Sequence, residues 1–415
     1  MARGHSRNHE WNRRRPGAVR FAAAALRSLI LGLCAATVAR APAAGPAVLA
    51  EAPMNRDAGR GNLLIVTLRL EDGEPLSLVV DTGSEATIVD KSLERKLGKR
   101  VGTGKLWNFG VKHKCGVYPT PKLYLGDLRL RTGDNVFSIE LKRMAVHTDP
   151  AVRGILGMDC LRYYCVQLDF EAGKLRLLDS SQLAAENLGR ALPMTLMGLG
   201  NSHGECMRPF VYSCGLLGGG ITNLLVDTGY RVDGALEGGL YRRGMGAEGL
   251  PLVVEPIRSL ELGRLWVEQI TWNGATYREL LIGNGGTDFS TGNGQNLLGL
   301  RFLARHLATF DFPTRTFYLR PTRADPLASA YQETATECLN RLKAAGRLPG
   351  WADRDPGRLY CDADVDFAVF DGRKPGDAST YHYLLRRAAR DQPWTLQSAW
   401  RTDQTGRISQ KYRVP

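Results

Sequence analysis

No two of the eight cysteines stand at Cys-x-x-Cys spacing, and none is grouped with histidine as a zinc site requires. That excludes the common structural zinc modules. The glycine-rich stretch Gly283 to Gly294 has no lysine and no helix pattern after it, so it is no phosphate cradle. The basic residues are scattered and form no RNA- or DNA-binding motif, so no nucleic-acid partner is implied. The apolar run from Phe21 to Ala39 is broken by Arg27, which argues against a clean membrane-spanning helix. At 43% hydrophobic and 23% charged residues, the composition leaves no room for a large disordered fraction.

The net charge of +13 is concentrated at one end. Residues 1–50 hold eight arginines against one glutamate, a local +7, and the remainder is only modestly basic. Within that segment, Arg13-Arg14-Arg15-Pro16 precedes the apolar run, and small residues follow through Ala44 and Ala50. This order reads as an export signal, with cleavage after Ala43 or Ala50. It places the protein in the periplasm, cell envelope or extracellular space. An uncleaved anchor is the alternative, and contact with a membrane is expected only in that case.

Two copies of one tripeptide stand out against this background. Asp81-Thr82-Gly83 follows Leu76-Ser77-Leu78-Val79-Val80, and Asp227-Thr228-Gly229 follows Ile221-Thr222-Asn223-Leu224-Leu225-Val226. One copy alone would read as an ordinary turn, but more than the tripeptide repeats. Ile155-Leu156-Gly157 after the first copy matches Leu297-Leu298-Gly299 after the second. Leu168-Asp169-Phe170 to Leu177 matches Phe310-Asp311-Phe312 to Leu319. Three matched features in one order are an internal duplication.

With these motifs, residues 60–182 and 205–322 resemble the pepsin/retropepsin-like aspartic protease superfamily. The resemblance implies a mainly β chain of two pseudo-twofold related lobes. It also implies an aspartic endopeptidase that cuts peptide or protein substrates as a monomer, with no metal or organic cofactor. Asp81 and Asp227 would be the catalytic pair, and Thr82 and Thr228 would bond across the lobe interface. Gly83 and Gly229 allow tight turns that aim amide N–H groups at the carboxylates. One carboxylate draws a proton from water while its protonated partner polarises the carbonyl.

The copies differ at the next residue, Ser84 in the first and Tyr230 in the second. A Ser84 hydroxyl bonded to Asp81 would favour the charged form there, so the shared proton is expected on Asp227. Between the motifs of the first lobe, Gly102-Thr103-Gly104-Lys105-Leu106-Trp107-Asn108-Phe109-Gly110 suits a hairpin that closes over a peptide. Trp107 and Phe109 are then substrate-facing candidates, with Tyr230 a third; plain core positions are the alternative for the first two.

Residues 51–182 are assigned to the N-terminal lobe, 183–204 to a linker, 205–322 to the C-terminal lobe and 323–415 to a small α+β appendage. In the appendage, Leu327 to Ala345 has helical spacing and four short strand-like runs follow. His382 stands alone in sequence and reads as structural. An exported chain predicts pairing of Cys338 with Cys361, then of Cys160 with Cys165 and Cys206 with Cys214, leaving Cys115 over; buried free thiols are the alternative. Two other functions fit the same residues: an inactive peptide-binding protein of this fold, and an envelope-associated interaction protein working through the appendage.

Overall fold

The computed structural model describes residues 47–60, 62–108, 111–144, 151–198, 207–213, 222–241, 249–253, 263–273, 275–284, 296–323, 330–350, 358–363, 367–373, 376–389, 391–404 and 407–414. Residues 1–46 of the export segment, Phe109, Cys206 and Cys214 lie outside the described residues.

The strand before each aspartate is buried along its C-terminal half, which is why its sequence is a continuous apolar run rather than an alternation. Strand Pro75–Val80 lies between Ile65–Leu70, antiparallel, and Val152–Leu156, parallel. Strand Thr222–Asp227 lies between Arg208–Ser213, antiparallel, and Leu297–Gly299, parallel. The match extends further. In the first half, Val152–Leu156 is followed by Ile88–Asp90, Asn135–Ile139, Val111–Pro119 and Gly102–Asn108. In the second half, Leu297–Gly299 is followed by Gly234–Leu236, Ala275–Asn284, Gly263–Trp272 and Gly249–Val253. Every neighbouring pair has the same relative direction in both halves. The chain is therefore mainly β, with two lobes of one topology.

A central sheet joins the lobes. Hairpin Cys165–Asp169/Lys174–Leu178 meets hairpin His306–Asp311/Thr316–Pro321 through antiparallel pairing of Cys165–Asp169 with His306–Asp311. Gln167 faces Thr309 at the middle of that ladder, and its Nε2 donates to Thr309 Oγ1 at 3.1 Å. The hairpin turns also correspond: Gly173 takes φ +65° in one and Arg315 φ +57° in the other. Val48–Pro53 adds to the first hairpin and Arg190–Met197 to the second. The segment read as a linker thus contributes a strand, because its alternating residues Leu192 and Met194 are buried in the main core. Cleavage after Ala50 would cut inside strand Val48–Pro53, whereas cleavage after Ala43 would leave it whole.

The appendage carries helix Ala330–Ala344 and a five-stranded antiparallel sheet. The helix buries Ala335, Cys338 and Leu339 against Phe370, Tyr383, Leu385 and Trp394. Its first strand, Arg358–Ala363, has no clear alternation and was not expected from sequence. Among the described residues no helix is long and apolar enough to cross a membrane.

The expected pairings of Cys338 with Cys361 and of Cys160 with Cys165 are corrected, and that of Cys206 with Cys214 lies outside the described residues. Cys115, Cys160, Cys165 and Cys338 are buried free thiols. Cys160 packs into the main core from helix Met158–Leu161, while Cys165 lies in the ladder facing Asp311. Cys338 Sγ is bonded to the Trp394 carbonyl at 3.3 Å, away from any pairing with Cys361. Burial raises the pKa of all four thiols, so they behave as small apolar side chains.

His382 is not alone in space. Its ring bonds Asp371 through Nδ1 and Thr402 Oγ1 through Nε2 (2.8 Å), and it stacks on Trp400 at 5.0 Å. All four side chains are buried, so this network holds the sheet together rather than meeting a substrate. Asp371→Leu would strand a buried ring N–H and cost about 2–3 kcal/mol in thermal unfolding, while Asp371→Asn keeps an acceptor and loses less.

Candidate active site

Each Asp-Thr-Gly turn leaves the end of its buried strand and meets the other at the lobe interface. Thr82 Oγ1 donates to the Val226 carbonyl (2.6 Å) and accepts from the Thr228 N–H (3.1 Å). Thr228 Oγ1 donates to the Val80 carbonyl (2.7 Å) and accepts from the Thr82 N–H (3.0 Å). Both threonines are buried, so each hydroxyl satisfies two backbone groups of the opposite lobe.

The carboxylates meet just above this link. A Cβ placed on Gly83 would lie 2.5 Å from the Asp227 carboxyl, and one on Gly229 would lie 2.5 Å from the Asp81 carboxyl. Only glycine permits that approach. Asp81 Oδ1 accepts the N–H groups of Gly83 (2.8 Å) and Ser84 (3.1 Å); Asp227 Oδ1 accepts that of Gly229 (2.8 Å). The two carboxyls are hydrogen-bonded to each other, and both remain partly exposed.

The bond on which the expected position of the shared proton rested is not made. Desolvation holds Asp81 well above the usual carboxylate range, and the charge of Asp227 pushes it further. Desolvation also raises Asp227, but the Gly229 N–H, the bond from Asp81 and the charge of Arg208 oppose the rise. Both carboxyls are thus held above the usual carboxylate range, as expected of a pair that shares one proton. Ser84 does not supply the expected bond, because its hydroxyl donates to the Ala86 carbonyl at 2.8 Å.

Tyr230 packs with the cluster of Leu225, Ala235 and Leu297. Its hydroxyl occupies the space a side chain at Gly283 would need, and its ring edge closes on Gly299. By strand register, the first-lobe counterpart of Gly283 is Phe137. One half takes its aromatic from the sheet, and the other takes it from the turn.

The repeated apolar-apolar-Gly segments lock both turns from behind. Side chains at Gly157 or Gly299 would collide with the backbone of Ala86 or Val232. The Met158 N–H bonds the Ser84 carbonyl (2.9 Å), and the Leu300 N–H bonds that of Tyr230 (2.7 Å). The next layer differs between halves. Thr87 Oγ1 donates to Asp159 Oδ1 at 2.7 Å in the first. Asp233 meets Arg301 (3.7 Å) and Arg305 (3.2 Å) in the second. Asp159 lacks such a pair, and burial raises its pKa to about 6.

Gly102–Asn108 and Val111–Pro119 form the expected hairpin, with Asn108 paired to Val111. Trp107 lies on its first strand, opposite Lys112. Phe109 lies outside the described residues.

The arrangement is two half-sites on matching strands, joined by reciprocal threonines and closed by two glycines against two carboxylates. The fold is that of a two-lobed aspartic protease. No family model and no curated protein matches the chain. Among solved structures, the crystal structure of basic 7S globulin from soybean is similar at 10% identity and a TM-score of 0.44, with 66% of this chain and 95% of that one covered.

Sequence reading did not single out Arg208, Glu85, Thr87 or Asp159. Arg208 was the most visible of them, a charge at the start of the apolar run Pro209-Phe210-Val211.

Thr82→Val would leave the Val226 carbonyl and the Thr228 N–H unpaired. The expected loss is about 2–4 kcal/mol in urea unfolding, mostly restored by Thr82→Ser. Asp159 holds its proton more tightly folded than unfolded, where the ordinary value is 3.8. Its contribution is therefore fully favourable below about pH 4 and declines as pH rises through 6. Above pH 6, Asp159→Asn should gain up to about 3 kcal/mol over the parent, and the gain should vanish below pH 4.

Proposed function

We propose that the chain is an aspartic endopeptidase. The observation that carries this reading is the pair of hydrogen-bonded carboxylates of Asp81 and Asp227, each set against the glycine of the other's turn. In the proposed reaction Asp227 is the ionised base. It takes a proton from a water molecule placed between the carboxylates, and the water oxygen attacks the scissile carbonyl carbon. Asp81 gives its proton to the carbonyl oxygen as the tetrahedral intermediate forms. Collapse breaks the C–N bond: Asp227 passes its proton to the leaving nitrogen while a hydroxyl of the intermediate returns one to Asp81 as the new C=O forms, which restores the starting pair.

The peptide would lie along the interface between the lobes, with hairpin Gly102–Asn108/Val111–Pro119 over it to exclude water. Both carboxylates come from one chain, so a monomer suffices. Such an enzyme needs no cofactor. The basic, apolar and small-residue order of residues 1–50 supports action outside the cytoplasm.

Digestion of a peptide library by the purified chain tests this. Internal cleavage is expected, blocked by pepstatin-type inhibitors. Asp81→Asn and Asp227→Asn should each lower kcat by about a hundred- to ten-thousandfold. Rate should follow a bell-shaped pH profile, lost on the acid side as Asp227 takes a proton and on the basic side as Asp81 loses one. Saturable peptide binding with no cleavage by any preparation would reject the enzyme in favour of a binding protein.

A further inference from the structure

The two lobes match strand for strand, but the residue beside each catalytic aspartate does not. In the first lobe the ladder pairs Ile65 with Val79, and continued by two residues it sets Leu63 beside Asp81. In the second it pairs Phe210 with Leu225, and continued likewise it sets Arg208 beside Asp227. Leu63 is buried and apolar; Arg208 is equally buried, at 7% exposure, and charged.

Arg208 is poorly compensated by its surroundings. Its Nε and Nη2 donate no hydrogen bond to any protein group. Its carboxylate neighbour on the first-lobe side is Glu85, at 3.8 Å, which is beyond hydrogen-bonding distance. A guanidinium does not give up its proton to relieve burial, so a nearby carboxylate has to adapt. Asp227 meets Asp81 from the opposite turn and the N–H groups of Gly229 and Gly83, with Arg208 beside it by register and Glu85 3.8 Å from Arg208.

We propose that Arg208 is a positioning residue that makes the dyad unequal, holding Asp227 as the ionised base and leaving the shared proton on Asp81. Without it, two near-symmetric half-sites would share the proton more evenly, and either aspartate would serve in either role. The chemical role rests on the peptidase reading above, whereas the proton's position does not.

The test reads the carboxyls directly. Asp 13Cγ shifts are followed against pH in Asp81→Asn, where Asp227 titrates without its partner, and in Asp227→Asn, where Asp81 does. Adding Arg208→Met should raise the Asp227 midpoint by about one pH unit or more and move Asp81 less. Arg208→Lys should keep most of the original midpoint. Arg208→Gln, which keeps a polar side chain and loses the charge, should raise the Asp227 midpoint likewise, and this arm decides the matter if Arg208→Met does not fold. An Asp227 midpoint that stays put on loss of the Arg208 charge overturns the proposal. In the otherwise unaltered chain, Arg208→Met should move the acid limb of the cleavage profile upward by the same amount. The carboxyl shifts without cleavage in any chain would leave the proton assignment standing and reject the peptidase alone.

Discussion

The exchange of hydrogen bonds between Thr82 and Thr228 is the constraint on which the rest depends. Two half-buried carboxyl groups side by side repel when both are charged, and each costs desolvation. Something must hold them there. Each threonine spends its hydroxyl on the opposite lobe, as donor to a strand carbonyl and acceptor from a turn N–H. Sliding the lobes would break all four bonds at once and leave buried backbone groups unpaired. The glycines at 83 and 229 convert that fixed separation into contact between the carboxyls.

Around this symmetric link the halves diverge residue by residue. Thr87 and Asp159 stand where the second lobe has Asp233 and Arg301. Phe137 stands where the second has Gly283, and Ser84 where it has Tyr230. Each change is compensated locally: an acid moves from helix to turn and acquires an arginine, and an aromatic moves from sheet to turn and is met by a glycine. The departure at Tyr230 therefore fills the space that glycines at 283 and 299 leave open. The exchange of Leu63 for Arg208 is one that lies, by strand register, beside the carboxyl pair.

Much of this was legible in sequence because duplication prints the same pattern twice. Asp81, Asp227, both threonines and the two apolar-apolar-Gly segments could be read by comparing one half with the other. The appendage helix and its later strands were legible from periodicity. What escaped was set by pairing across space. Arg208 becomes a neighbour of Asp227 only through the register of two strands, and register is not written in local composition. Strand Arg190–Met197 looked like a connection because a central sheet, not its own propensity, recruits it. The thiol pairings failed for a related reason: closeness in sequence said nothing of Cys160 facing the core while Cys165 faces Asp311.

The central sheet has a consequence for biogenesis. Strand Cys165–Asp169 finds its antiparallel mate only at His306–Asp311, so one side of that hairpin has no partner until the ribosome has moved far down the message. At bacterial or eukaryotic elongation speeds the wait is on the order of ten seconds or more. An open strand edge for that long invites the wrong neighbour. The nascent chain therefore has a defined interval in which a chaperone protects it most.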